Sequence, residues 1–385
     1  GTPSDNTVTA AKIASDAVTT AKIADSNITS AKIASGVIQN QSAFKNIIIN
    51  GDMSIAQRST SVSSITSSSY NTLDRFRTNI SSAGTWTQSQ STTVPSGQGF
   101  SKSLKMDCTT ADASLSASDI LSIQTRFEGQ NLQYLKKGTS SAESLTLSFW
   151  VRSNKTGTYI CELYDNDNTR HIAKSYTISS ADTWEKKTIT YAGDTTGALG
   201  NDNGDSFRVN FHLAAGSNFT SGTLATSWSS YTAANRAVGQ VNLADSTSNE
   251  WYITGVQLES GTSASDFEFL PHDVNLKRCL RYFEILIDGD GDINESQLIG
   301  SSYNSTRFFT KIFMKEYKRA DATISSSNVG GTVYQDGGGH TVTALANTYT
   351  DTSAIGLDFT ATTTSGDAGH LDTSSDTLVT ADAEL

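Results

Sequence analysis

One stretch of this sequence looks arranged for chemistry. In "DGDGDINES", Asp288, Asp290, Asp292 and Asn294 fall at alternate positions, as hard oxygen ligands do at the start of a calcium loop. The match then fails. Its sixth position is Ile293 where the loop needs Gly, and its twelfth is Ile299 where a bidentate Glu closes the site. An acidic exposed turn without a metal is the expectation. Nucleophile elbows, HExxH, phosphate-cradling Gly loops and Cys/His pairs are absent, and His171, His212, His272, His340 and His370 are scattered without ligand spacing. Cys108, Cys161 and Cys279 are widely spaced and odd in number, which suits buried thiols better than disulfides. No cofactor and no catalysis are expected. One enzymatic route stays open, because the paired carboxylates of a glycan hydrolase, ~5 to 9.5 Å apart, come from distant strands and leave no motif.

What must position any functional residue is β-structure. The 385 residues carry only 17% charged side chains, 29 Gly and 3 Pro among abundant Ser and Thr, a balance that favours short strands and small turns. The net charge of -11 argues against nucleic acid, which needs clustered Lys and Arg. No apolar run reaches the ~18 residues of a membrane span, and neither membrane insertion nor a secretion signal is expected. The chain opens inside a repeat and without Met, as a fragment or the ordered part of a longer chain would.

The repeat, "TVTAAKIASDAVTTAKIADSNITSAKIASGVI", places Val8, Ile13, Val18, Ile23, Ile28, Ile33 and Ile38 five positions apart. An α-helix turns ~100° per residue, so five steps rotate each aliphatic side chain ~140° away from the last. A strand sends odd spacings to opposite faces. A unit that cannot bury its own apolar residues needs neighbours. The expectation is a homotrimeric fibrous shaft over residues 1–40, with those seven residues at its axis; the alternative, a disordered low-complexity linker, explains the polarity but not the strict spacing.

After it, "QSAFKNIIINGDMSIAQR" reads as two strand-like runs about an Asn50-Gly51-Asp52 turn. Further strands are expected at "SLKMDCT", "SLTLSFWVRS", "TGTYICELYDN", "RHIAKSYTIS", "TWEKKTITYAG", "SFRVNFHLAAG" and "EWYITGVQLES", which together suggest a sandwich or jelly roll over residues 41–272. "HDVNLKRCLRYFEILI" is the best helical candidate, alone or running into a strand, and the boundary is placed near Asp273. Residues 273–385 read as a smaller β-rich tip, with strands at "SQLIGSSYN", "TRFFTKIFMKEY", "ATISSS" and "AIGLDFTATT" and a hairpin at "GTVYQDGGGHTVTALAN" whose tip is Gly337-Gly338-Gly339. The fold class is all-β.

Three pieces, "NIIINGDMSIAQR", "LDRF" and "GVQLESGTSASDFEFLPHDVNLKRCLRYFE", together with the upstream AKIA-type repeat, resemble bacteriophage tail-fibre and tail-appendage proteins, especially those of marine phages. The closing "VTADAEL" resembles the ends of such fibres and is expected to be distal. "SLTLSFWVRSNKTGTYICELY" followed by "TWEKKTITY" is similar to carbohydrate-binding-module jelly rolls. The resemblance implies a virion tail fibre that joins other tail proteins through an N-terminal region and adsorbs to a host cell-surface polysaccharide or receptor. The rivals are a purely structural virion component, a connector or decoration, and a glycan-cleaving appendage. Phage depolymerases typically resemble long β-helices, and no rung repeat is visible after Gln41.

Sugar faces stack on aromatic rings while their hydroxyls meet amides and carboxylates. Trp150 and Trp184 lie in apolar or strand contexts and are expected in the core, whereas Trp86, Trp228 and Tyr231 sit in polar surroundings and are surface candidates. Asp165, Asp167 and Arg170 offer hydrogen-bonding groups on a loop, although a solvated hairpin turn explains them equally well. On the tip the candidates are Tyr303, Arg307, Tyr334, Asp336, His340 and Tyr349.

Overall fold

Thirteen strands in the first part of the chain fall into two antiparallel sheets, and along the longer ones apolar residues recur at every second position. The computed structural model describes residues 44–288, 297–374 and 377–385. The pentad residues Val8 to Ile38, and Asp290, Asp292 and Asn294, lie outside the described residues.

One sheet runs β1 (Ser61–Ile65), β4 (Thr85–Ser91), β5 (Ser103–Thr110), β13 (Glu250–Ser260), β7 (Leu145–Ser153) and β10 (Glu185–Tyr191) in spatial order. The other runs β12 (Ser229–Ser230), β9 (Arg170–Ile178), β8 (Gly157–Asp165), β11 (Asp205–Ala215), β6 (Ile120–Glu128), β3 (Arg77–Ser81) and β2 (Ser69–Tyr70). Between them the inward residues of β7 (Leu145, Leu147, Phe149, Val151) meet those of β8 and β11 (Tyr159, Cys161, Leu163, Phe207, Val209, Phe211) in one core. This is a jelly-roll-like sandwich, and the seven quoted strand segments all contain strands of it. The central β6, "ILSIQTRFE", is not among them, although Ser118-Asp119 and Gly129-Gln130-Asn131 bound it.

Three expectations fail here. Residues 44–60 are an irregular hook and not a hairpin. Buried side-chain amides replace the strand ladder: Asn46 Nδ2 donates to Val256 O (3.1 Å), its Oδ1 accepts from Ile48 N and Leu258 N, and Asn50 bonds Ile55 and Asp74. Gly51 is required at this turn, since a Cβ there would lie 2.1 Å from Val256 O. The second failure is Trp86, which is fully buried with its Nε1 donating to Ala83 O at 2.7 Å, so it is a core residue. Trp150 and Trp184, expected inside, are only half-buried. Trp150 alternates out of the core between Phe149 and Val151.

Short helix α1 (Ser217–Thr220) lies in the loop after β11, and α2 (His272–Leu280) follows the sandwich. The helix is fastened to the hook: Asn275 accepts from Asn50 N (3.2 Å) and donates to Asp52 and Ser54. The helical segment does run into a strand, β14 (Phe283–Asp288). β14 pairs with β22 (Leu378–Asp382), which pairs in turn with β17 (Thr323–Ser327). The remaining six strands close a barrel in the order β15 (Gln297–Asn304), β16 (Arg307–Phe313), β20 (Ala354–Ala361), β19 (Gly338–Thr350), β18 (Gly331–Gln335) and β21 (Ala368–Thr373). Phe308, Val333, Ile355, Leu357, Phe359 and Leu371 fill it. The β18–β19 turn is Asp336-Gly337, both at positive φ, while Gly338 and Gly339 belong to the strand.

The chain end folds back from the barrel onto the sandwich. Glu384 pairs with Arg75, Asp382 with Arg58 at 2.9 Å, and Leu385 O accepts from Arg126 at 2.8 Å, so β22 and the last residues lie against the sandwich. The strand that carries "VTADAEL" must pair centrally between β14 and β17, and β14 leaves α2 at the sandwich surface. Phe44–Leu385 is accordingly a single compact unit.

Candidate saccharide-binding surfaces

On the barrel, β16 alternates between the core and the outside: Phe308 points in, while Arg307, Phe309, Lys311 and Phe313 point out. Beside it on β20 stand Gly356 and Asp358, paired with Lys311 and Phe309 respectively. A Cβ on Gly356 would lie 2.8 Å from Phe309 Cζ and 3.5 Å from Tyr349 Cβ. Its absence lets the Phe309 ring lie over β20, edge-on to Tyr349 with centroids 6.3 Å apart. Asp358 is buried, and its Oδ2 accepts from Tyr303 OH (2.8 Å) and Arg307 Nη1 (3.0 Å). That hydrogen bond to the carboxylate raises the Tyr303 phenol pKa, with Arg307 opposing it. The result is a sheet surface with Tyr303, Tyr349 and Phe313 at 55%, 61% and 72% exposure, and a guanidinium fixed among them.

Three of the six tip candidates, Tyr303, Arg307 and Tyr349, therefore share one wall. Tyr334 lies elsewhere, stacked on His370 (centroids 5.1 Å apart) in a row with exposed Ile299. Asp336 is in the hairpin turn, close enough to Asp367 that their hydrogen bond raises the Asp367 pKa. His340 pairs with inward-facing Val333 and joins neither group.

The sandwich candidates serve mostly as scaffold. Asp165 is fully buried, ion-paired to Lys137 and accepting from Asn168 N at 3.0 Å. Arg170 makes a two-pronged pair with Asp194 (2.8 and 2.9 Å), which also binds Lys137 at 2.9 Å. These contacts overcome burial, which by itself would raise the Asp194 pKa, and hold it low. Trp228 donates to Ala192 O at 2.8 Å and packs on Phe207, with Lys137 5.1 Å from its ring. Asp167 remains exposed but accepts from Gly200 N at 2.8 Å. The loop is thus an anchored corner, with one buried Lys satisfying two carboxylates.

Tyr231 borders a buried polar cluster that sequence reading missed. Glu162 accepts from Arg236 (2.7 Å), His171 Nδ1 (2.9 Å), Asn210 (3.0 Å) and His212 Nε2 (3.3 Å). Burial alone would raise its pKa, but Arg236 and the two imidazoles hold it well below the usual carboxylate range. Desolvation lowers the His212 pKa and keeps that ring neutral. A carboxylate so enclosed has no path to a substrate proton. The visible signal was the alternation of Arg208, Asn210 and His212 along β11, which places polar residues on one face of a central strand.

Among the described residues no three His, Cys, Asp or Glu side chains group as a metal site, and Asp288 ends β14 exposed. All three cysteines are free and buried, with desolvation pushing Cys108 up to about 11 and Cys161 to about 12. No described helix is long and apolar enough to cross a membrane.

No family model matches this chain, and no curated protein does. Solved structures are similar over about half of it. The enzymatically active domain of tailspike protein 4 of bacteriophage CBA120 shares 12% identity at a TM-score of 0.30, over 56% of this chain and 21% of that one. This chain thus spans only about a fifth of the tailspike structure's length. TmCBM61, in complex with β-1,4-galactotriose, shares 9% identity at a TM-score of 0.28, over 56% of this chain and 98% of that one. A family 11 carbohydrate-binding module from Clostridium thermocellum shares 11% identity at a TM-score of 0.25, over 50% and 91% respectively.

Proposed function

We propose that this chain is a phage tail-fibre protein that adsorbs the virion to its host by binding a surface glycan, without cleaving it. The observation that carries the binding reading is the barrel wall, where Tyr303, Phe309 and Tyr349 stand beside Arg307 on one sheet face and buried Asp358 fixes Tyr303 and Arg307. Exposed rings at modest spacing present stacking faces to pyranose rings, and the guanidinium supplies donors for hydroxyls. The phage reading rests on the sequence resemblance of the hook, "LDRF" and the α2 segment. Leu73, Asp74, Arg75 and Phe76 are buried, so that motif works as framework. A homotrimer joined through the pentad repeat would multiply weak wall contacts by raising their effective concentration.

The test is binding of the purified chain to host envelope polysaccharide, with competition against phage adsorption. Saturable binding lost on Tyr303→Ala with Tyr349→Ala supports the reading. Absence of binding favours a connector or decoration role, and release of reducing ends from the polysaccharide overturns the claim that no chemistry occurs. Native mass should give three chains per particle; a monomer would refute the trimer.

A further inference from the structure

A cavity of about 280 Å³ opens where the hook, the 3-10 turn Gly129–Leu135 and α2 come together. Ile47, Ile49 and Leu132 give it an apolar wall, and the rings of Phe44 and Tyr134, 57% and 48% exposed, stand at its lining. Four guanidiniums, those of Arg75, Arg126, Arg278 and Arg281, line it against one carboxylate, Glu128. In a chain of net charge -11 this is a local reversal of sign.

Three of the four are already answered. Arg75 pairs with Glu384, Arg126 with Asp205 at 3.2 Å, and Arg281 with Glu128 at 2.6 Å. Arg278 is not. Among the described residues it donates only to Asn46 O, at 3.4 Å, and it lies 5.8 Å from the Phe44 ring centre. Among the described residues no carboxylate stands within ion-pair distance of it. Glu268, whose field reaches it, is held by the backbone N–H groups of Phe44 and Asn46. A half-buried guanidinium without a counter-ion is costly, and a planar carboxylate is the group its fork fits best.

We propose that this cavity binds a single carboxylate-bearing sugar residue of the uronic-acid type, with Arg278 taking the carboxylate. Its volume lies near the lower end of the ~300–1,000 Å³ typical of ligand pockets, which suits one ring and not an extended chain. The rings of Phe44 and Tyr134 offer faces to the apolar side of the pyranose, and Asn131 offers an amide to its hydroxyls. The site is separate from the barrel wall and would make the protein selective for acidic polysaccharide in spite of its overall negative charge.

The test is calorimetric titration of the intact chain with D-glucuronate, D-glucose and acetate. Glucuronate should bind saturably and less tightly as salt rises, with glucose and acetate each at least about tenfold weaker. Arg278→Gln should weaken glucuronate at least tenfold, and Tyr134→Ala, which keeps the charge at an exposed ring, should weaken it several-fold. Tyr303→Ala with Tyr349→Ala should leave glucuronate affinity unchanged, so failure here and failure of the barrel-wall reading are distinguishable. No saturable glucuronate binding, acetate binding as tight as glucuronate, or undiminished affinity in folded Arg278→Gln and Tyr134→Ala would each overturn the proposal.

Discussion

Arg75 and Glu384, 309 positions apart, meet in a buried ion pair that joins the loop before β3 to the last residues of the chain. Arg75 also donates to Arg126 O at 2.6 Å and lies 3.5 Å from the Tyr282 ring centre. Around it Arg281 and Tyr282 both bind Glu128 (2.6 Å each), so the segment after α2 and the chain end are locked to the same strand. Removing one partner leaves a charge buried alone, which typically costs about 3–5 kcal/mol. Glu384→Ala should therefore lower the unfolding free energy from urea titration by that order, while Arg75→Met combined with Glu384→Leu should cost much less. Equal losses in the two would show that packing and not charge pairing holds the junction.

That pair also shows where sequence reading stops. Strands such as β7 and β11 were legible because a period-two pattern is a local property bounded by local turns. The return of β22 to the sandwich is not local, and nothing in "TLVTADAEL" tells which edge it will pair with. The hook misled for another reason: Asn50-Gly51 reads as a hairpin turn, but the buried amides of Asn46 and Asn50 satisfy the backbone that a hairpin would have paired. Trp86 lay in a polar string, but its neighbours in space, among them Ala83 and Cys108, are apolar. Within the site, Tyr303, Arg307 and Tyr349 could be picked as aromatic and basic residues in polar contexts. Phe309 and Asp358 could not, because each reads as an ordinary member of its strand until the barrel closes.

Acid should loosen the sandwich through the Glu162 cluster, in two stages. His212 has a folded pKa lowered by desolvation, so its contribution is present above the ordinary value of 6.5 and is lost as pH falls through the folded value. Glu162 is held well below 4.5, so its contribution is present above that value and disappears at still lower pH. The urea midpoint should fall on going from neutral to mildly acid pH and again under stronger acid. His212→Gln should flatten the first stage and leave the second. A midpoint independent of pH over the first range would refute the neutral assignment of His212.

Trp228 and Tyr349 should part company under substitution. The Trp228 indole is pinned to Ala192 O and packed on Phe207, so Trp228→Ala is expected to cost stability, about 3 kcal/mol, with no change in glycan affinity once folded. Tyr349 is 61% exposed, so Tyr349→Ala should cost less than about 1 kcal/mol of stability and roughly tenfold in affinity. Paired denaturation and glycan-binding curves for both variants check this. A Trp228→Ala protein that is fully stable but cannot bind would move the site to the sandwich.

Gly356→Ala probes the wall without removing any group that could touch a sugar. Backbone freedom is not the issue, since Gly356 lies in regular β20 pairing with Lys311 and Tyr349. Space is. The added methyl would come within 2.8 Å of Phe309 Cζ and 2.9 Å of Cε2, so the ring must lift from the sheet and push on its neighbour Tyr349. The barrel core on the other face, Phe308 and Leu357, is untouched, and the stability loss should stay near the ~1–3 kcal/mol of an overpacked site. Glycan affinity should fall as far as in Tyr349→Ala, because stacking depends on where the rings lie and not only on their presence. Unchanged affinity in a folded Gly356→Ala protein would show that the Phe309 and Tyr349 rings are not the stacking surface.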